Sequence, residues 1–127
     1  MKNFDGWNSL KKDINTVSTI KYYKTRQIWW IRLGCNVGHE QDGKGDYFER
    51  PILIIKKFNN RIFLGIPLTT KIKNNPFYFK ITDNENILRC GIISQLRLLD
   101  ASRLRQKIGF VNQNIFEEIR KAIREII

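Results

Sequence analysis

Side chains that bind metals or carry redox chemistry are scarce in this sequence. It holds two cysteines, Cys35 and Cys90, and one histidine, His39. Two thiols are too few for a disulfide scaffold, and with a single imidazole they make no ordinary structural zinc site. They read as inert thiols in a reducing, cytoplasmic setting. A single histidine excludes an acid–base ribonuclease built on two imidazoles. A Ser-His-Asp hydrolase would have to use His39, but no Gly-x-Ser-x-Gly turn accompanies it. There is no Walker A loop, and Gly43-x-Gly45 is too short for a dinucleotide fingerprint. Carboxylates do not recur at a spacing that suggests a two-metal nuclease. Apolar runs last only several residues, which excludes a bilayer-spanning segment. The first residues show neither a signal-peptide core nor a small-residue cleavage site. No cofactor is expected.

Acidic residues are also few. Twelve Asp and Glu stand against 23 Lys and Arg, a net charge of +11. Such a field attracts polyanions: RNA, DNA, an acidic protein segment or an anionic membrane. The membrane is the weakest of these, because no unbroken basic amphipathic helix is visible. Charge alone does not choose among the rest, and lysines that merely keep a protein dispersed are the plain alternative. With 127 residues and 42% apolar side chains, the chain suits one domain with one core.

Periodicity divides the chain into three stretches. Phe4, Trp7, Leu10, Ile14 and Val17 fall at helical steps, predicting a helix over 4–18 within an extension of about 1–25. Ser18 to Arg26 has no period and reads as a connector. From Gln27 the period becomes two. Ile28–Leu33 predicts a strand with Trp29, Ile31 and Leu33 on one face, and Gly34–Glu49 a long loop. Pro51 then opens a strand through Ile55, a place that suits proline. Arg61–Leu68 and Phe77–Thr82 alternate, with turns at 58–61, 74–76 and 83–86. One or two further strands follow within Ile87–Leu99. Ile115, Phe116, Ile119, Ile123, Ile126 and Ile127 return to helical spacing, with Asn114 and Glu117 as a capping box. The expectation is a mainly β, α+β domain: five or six strands in a small, strongly bent sheet or barrel with one helix laid on it.

Three segments in order are more specific. Trp29-Trp30-Ile31-Arg32-Leu33-Gly34 leads to Gly38-His39-Glu40-Gln41 and then Arg50-Pro51-Ile52-Leu53-Ile54. Ile66-Pro67-Leu68-Thr69-Thr70-Lys71 follows. Ser94-Gln95-Leu96-Arg97-Leu98-Leu99-Asp100 completes the set. The pattern resembles the PemK/MazF family, the toxins of type II toxin–antitoxin pairs, from about residue 26 to the end. Asp42–Glu49 is longer than the family's usual link, which points to a PemK-like branch with an extended first loop. The resemblance implies an SH3-like β-barrel over about 26–127 with a C-terminal helix, the N-terminal helix being an addition. It implies a homodimer and a metal-independent endoribonuclease for single-stranded RNA. Cleavage would use the RNA's own 2′-hydroxyl, leaving a 2′,3′-cyclic phosphate and a 5′-hydroxyl. An acidic antitoxin would block the site, and operator DNA would be reached through the antitoxin complex.

The nucleophile then belongs to the substrate, and the protein must stabilise charge and move protons. Arg50 is the first candidate, because a guanidinium presents paired donors to phosphate oxygens. A surface arginine paired with Glu49 or Asp46 is the alternative. Thr69 matches the family's threonine at a strand end. Thr70 is its neighbour, and alternation predicts that only one of them faces the groove. Glu40 matches the motif as an acceptor for the 2′-hydroxyl proton. His39 is a possible base by its pKa, with a solvated loop histidine as the alternative. Gln41, Lys71, Gln95 and Arg97 are candidate substrate contacts, Arg97 alternatively forming a dimer ion pair. Tyr47 and Phe48 are the favoured base-stacking pair, with Trp30, Phe77 and Tyr78 as further candidates. Trp29, Phe63 and Phe79 are expected in the core. Two rival functions remain: a non-catalytic barrel of the same fold that binds nucleic acid or protein, and a toxin that traps a protein such as a topoisomerase.

Overall fold

The computed structural model describes residues 22–34 and 48–127. The expected helix over 4–18 and most of the long loop lie outside the described residues. What is described is an antiparallel sheet followed by one helix. The elements are β1 (Gln27–Gly34), β2 (Phe48–Lys57), β3 (Ile62–Thr69), β4 (Tyr78–Thr82), β5 (Leu88–Ile92), β6 (Arg97–Asp100), β7 (Leu104–Phe110) and α1 (Gln113–Ile126).

The strands pair in the order β4-β5-β3-β2-β1-β7, and β6 also pairs with β3. One edge of β3 therefore serves two partners. Ile62–Gly65 pairs with β6, and Leu68–Thr69 pairs with β5. Pro67 falls in the gap between them, where a missing N–H costs that edge no ladder bond. A short 3₁₀ turn, Ile93–Gln95, bridges the fork. This split edge matters below, because it opens a cavity beside the end of β3.

Both faces of the central strands are buried, which is why β2 and β3 read as near-continuous apolar runs. On one face Ile28, Leu53, Ile66, Leu68 and Ile81 pack against Phe116, Ile119 and Ile123 of α1. Those helix residues recur at steps of three and four, so one stripe meets the sheet. Each such burial contributes about 1.5–3 kcal/mol. The other face packs Tyr23, Trp29, Ile31, Ile52, Ile54 and Phe63. Trp29 and Phe63 are core as expected, whereas Phe79 is only partly buried against the first cluster.

Several expectations are corrected. The described residues alone form seven strands, where five or six were expected of the chain. β2 begins at Phe48, so Pro51 is its fourth residue rather than its first, opposite Trp30 of β1. The helix cap is Asn112, not Asn114: its side-chain oxygen accepts from the Ile115 N–H at 2.8 Å. Asn114 lies inside α1. Strand β7 was not foreseen, because charged and polar residues occupy its exposed positions. Tyr23, in a stretch read as a connector, is fully buried, and its hydroxyl donates to the Asn59 carbonyl at 2.6 Å. Burial pushes its phenol pKa up, and nearby Asp100 adds to that. The sheet is bent but not closed, since no ladder joins β4 to β7. The hairpin tip does reach across: Asn84 Oδ1 accepts from the Phe110 N–H at 2.9 Å. Among the described residues no helix is long and apolar enough to cross a membrane.

Candidate active site

Strand register explains the site. Ile52 pairs with Pro67, and Leu53 with Ile66. Continuing that register by two residues sets Arg50 across from Thr69, so the two side chains share a face. Alternation sends Glu49 the other way. Its carboxylate meets Arg105 Nε at 2.8 Å and Arg32 Nε at 4.0 Å. The rival reading of Arg50 as a partner of Glu49 thus has the carboxylate engaged elsewhere.

Arg50 and Thr69 line one cavity of about 340 Å³ together with Lys71, Lys73, Tyr78, Ile92 and Gln95. Each wall has a local cause. At the end of β3, Thr69 Oγ1 accepts from the Lys71 N–H at 3.1 Å, which turns the chain out of the strand and fixes the hydroxyl oxygen. Asn75 launches β4: its side-chain oxygen accepts from the Phe77 N–H at 2.8 Å and its carbonyl from the Tyr78 N–H at 2.9 Å. Tyr78 then pairs with Ile92 at the end of β5. Gln95 comes from the 3₁₀ turn in the fork.

The electrostatics are one-sided. Among the described residues that line it, Arg50, Lys71 and Lys73 are cationic and none is a carboxylate. Lys73 Nζ sits 5.2 Å from the centre of the Tyr78 ring. Burial in the cavity wall lowers the pKa of the half-buried Arg50 guanidinium, while Tyr78 acts in the opposite direction. The group stays cationic at neutral pH. A cavity of this kind holds a phosphate dianion or the extra charge of a phosphorane, with a neutral hydroxyl alongside.

The structure therefore brings together Arg50, Thr69, Lys71 and Gln95 from the candidates. Thr70 is exposed and does not line the cavity, as alternation predicts. Arg97 is exposed on β6 opposite Gly65, also away from it. His39, Glu40, Gln41 and Tyr47 lie outside the described residues. Phe48 is the first residue of β2. Lys73 was missed, and Tyr78 was named only as a stacking candidate. The alternation of Tyr78 with Phe79 and Lys80 was the available signal for the latter; the connector holding Lys73 has none.

The family model described as a PemK-like, MazF-like toxin of type II toxin–antitoxin systems matches residues 24–127. The chain belongs to that family. No curated protein matches it at the level of sequence. Solved structures share the fold at low identity. MazF from Deinococcus radiodurans aligns with a TM-score of 0.60 and 18% identity, over 82% of this chain and 94% of that one. A MazE–MazF structure from the same organism aligns with a TM-score of 0.61 and 18% identity, over 84% and 96%. The Mycobacterium tuberculosis toxin MazF-mt6 gives 0.57 and 14%, over 79% and 94%. The MazF-like fold thus extends over about four-fifths of this chain, while these identities leave the chemistry of the cavity to its own residues.

Proposed function

We propose that this PemK/MazF-family chain is a toxin that cuts single-stranded RNA without a metal ion. The observation that carries the reading is the shared cavity of Arg50 and Thr69, with Lys71 and Lys73 in its wall. In the reaction, the ribose 2′-oxygen attacks the adjacent phosphorus and loses its proton to a base. The phosphorus–O5′ bond breaks, and the leaving 5′-oxygen takes up a proton. The products are a 2′,3′-cyclic phosphate and a 5′-hydroxyl. Arg50 donates to the equatorial oxygens of the phosphorane, and Lys71 and Lys73 add charge. The Thr69 hydroxyl, its oxygen held by the Lys71 N–H, donates to a phosphate oxygen. Charge stabilisation is the first role of Arg50, and proton donation to the 5′-oxygen is secondary because a guanidinium holds its proton tightly. Glu40 is the preferred base and His39 the second, with Gln41, Tyr47 and Phe48 as substrate contacts. Gln95 positions the strand from the fork.

The reading extends to partners. A MazE–MazF structure among the similar folds, with the +11 charge, supports an acidic antitoxin as the natural inhibitor. A homodimer, a cytoplasmic location and operator binding through the antitoxin complex belong to the same proposal. The test is incubation of the purified chain with single-stranded RNA in EDTA, beside Arg50→Ala. The expected result is site-specific cleavage that persists without metal, leaves cyclic phosphate ends and falls by about 10²–10³ in the variant. Tight binding of RNA that stays intact would overturn the enzyme reading in favour of a binding barrel. Inhibition of supercoiling with intact RNA would favour a topoisomerase trap.

A further inference from the structure

A second, larger depression of about 490 Å³ adjoins the Arg50 cavity, and Lys73 and Tyr78 line both. Tyr78 is the wall between them. The chemistry changes across that wall. On the Arg50 side the charged groups among the described residues are cations. On the far side stand the Phe79 ring, the carboxamides of Asn74 and Asn75, and the Glu118 carboxylate of α1, with Lys80 beside them. Glu118 is the one carboxylate lining either depression among the described residues.

That contrast sorts the two spaces by ligand. A phosphate is drawn more strongly to the first, with its three cations, than to the second, where Glu118 offsets one of the two lysines, Lys73 and Lys80. A neutral flat ring with hydrogen-bonding edges suits the second. Aromatic faces stack such a ring at ~1–3 kcal/mol per base. The Asn75 oxygen is already occupied by the Phe77 N–H, so its NH₂ group is the part left to meet an acceptor. A carboxylate accepts hydrogen bonds and donates none; the single ring donor of uracil, N3–H, lies between two carbonyl oxygens that repel a carboxylate, so an edge bearing an amino group is favoured.

Resting on the reading of the chain as an RNA-cutting toxin, we propose that this depression is a nucleobase subsite. The base next to the phosphate held by Arg50 lies against Tyr78, and Glu118 selects an amino-bearing base over uracil. The shared Tyr78 wall places base and phosphate within one nucleotide of each other. Glu118 is exposed on the helix surface, clear of the Asn112 cap and of buried Phe116 and Ile119, so its substitution leaves the core intact.

The experiment compares wild type, Glu118→Gln, Tyr78→Leu and Tyr78→Phe on a single-stranded RNA library randomised around the cut. The wild type is expected to favour an amino-bearing base at one position beside the cleaved bond by about ten-fold. Glu118→Gln should narrow that preference to within about three-fold by raising cleavage at uracil. Tyr78→Phe should keep the preference and Tyr78→Leu lose it. An unchanged profile in Glu118→Gln overturns the subsite, while cleavage that still depends on Arg50 leaves the ribonuclease reading standing. A second measurement is independent of cutting. A non-cleavable 2′-deoxy oligonucleotide carrying one abasic residue, walked along the chain, should bind the wild type more weakly at a single position. In Tyr78→Leu that positional penalty should vanish. An equal penalty in both proteins overturns the proposal even if no RNA is cut.

Discussion

Two cavities of similar size and basic lining face each other as a natural comparison. One, of about 340 Å³, holds Arg50, Lys71 and Lys73; the other, of about 370 Å³, holds Arg32 and Arg103 with Asp100 and Ser102. They differ in what the protein has already placed beside the cations. In the second, Arg103 donates to the Arg32 carbonyl at 3.1 Å, and Asp100 stands in the wall 3.9 Å from Arg61. Arg32 itself lies near Glu49. In the first, the described lining residues include no carboxylate. Counting arginines therefore does not separate the two cavities. What separates them is which groups the described strands set beside those cations.

The scaffolds differ as well. Each cavity depends on an aspartate that closes a turn. Asp83 caps the hairpin between β4 and β5: one oxygen accepts from the Glu85 and Ile87 N–H groups, and the other faces Arg89 Nε at 3.5 Å. The two side chains are only 4% and 12% exposed. Asp100 caps a 3₁₀ turn through the Ser102 N–H, but the Asp100 and Arg61 side chains are 39% and 66% exposed. The largest expected effect follows. Asp83→Ala strands a buried guanidinium and two N–H groups, and should cost about 3–5 kcal/mol of unfolding free energy. Urea denaturation checks this, and a loss below about 1 kcal/mol would erase the distinction between the two turns.

Next comes activity. Arg50→Ala should reduce cleavage of single-stranded RNA by about 10²–10³, while Arg103→Ala stays within about two-fold. Equal losses would mean that both cavities serve the substrate. A smaller effect separates neighbours on β3. Thr69→Val keeps the β-branched shape but removes the hydroxyl, and should lower kcat/KM by roughly two- to ten-fold. Thr70→Val, outside the cavity, should leave it unchanged.

These contrasts also show what could be read from the sequence. Arg50 and Thr69 were legible through the resemblance to the family pattern, Arg50 just before Pro51 and Thr69 at a strand end, while alternation said only that Thr69 and Thr70 face opposite ways. The helix α1 was legible from its stripe, though its cap was misplaced by two residues because Asn112 and Asn114 are both competent. Strand β7 was not legible: Arg105, Gln106 and Lys107 sit on a sheet edge open to solvent, which removes the apolar alternation. Tyr23 gave no signal because its burial depends on Phe63, whose ring centre is 5.3 Å away and 40 residues distant in sequence. Lys73 and Glu118 were illegible for the same kind of reason. They become part of a site only once β3 divides its edge between β5 and β6 and the hairpin swings toward α1.

The smallest effect tests the exposed turn by pH. Asp100 has its pKa held below the ordinary carboxylate value, chiefly by the Ser102 backbone N–H and then the Ser102 side chain, with burial opposing and Arg61 and Arg103 assisting. A carboxyl depressed on folding stabilises the folded state once ionised. Its contribution is complete above the unfolded value of about 4 and is lost as pH falls through the lower folded value. Asp100→Asn should therefore cost a few tenths to about 1 kcal/mol near pH 7, discounted for solvent screening. The gap between the two proteins should shrink below about pH 4. The same substitution removes the charge that helps push Tyr23 upward, so its phenol should ionise at slightly lower pH in a spectrophotometric titration, burial remaining as the main cause. A gap that grows on acidification would reverse the sign and assign the turn's stability to something other than this carboxylate.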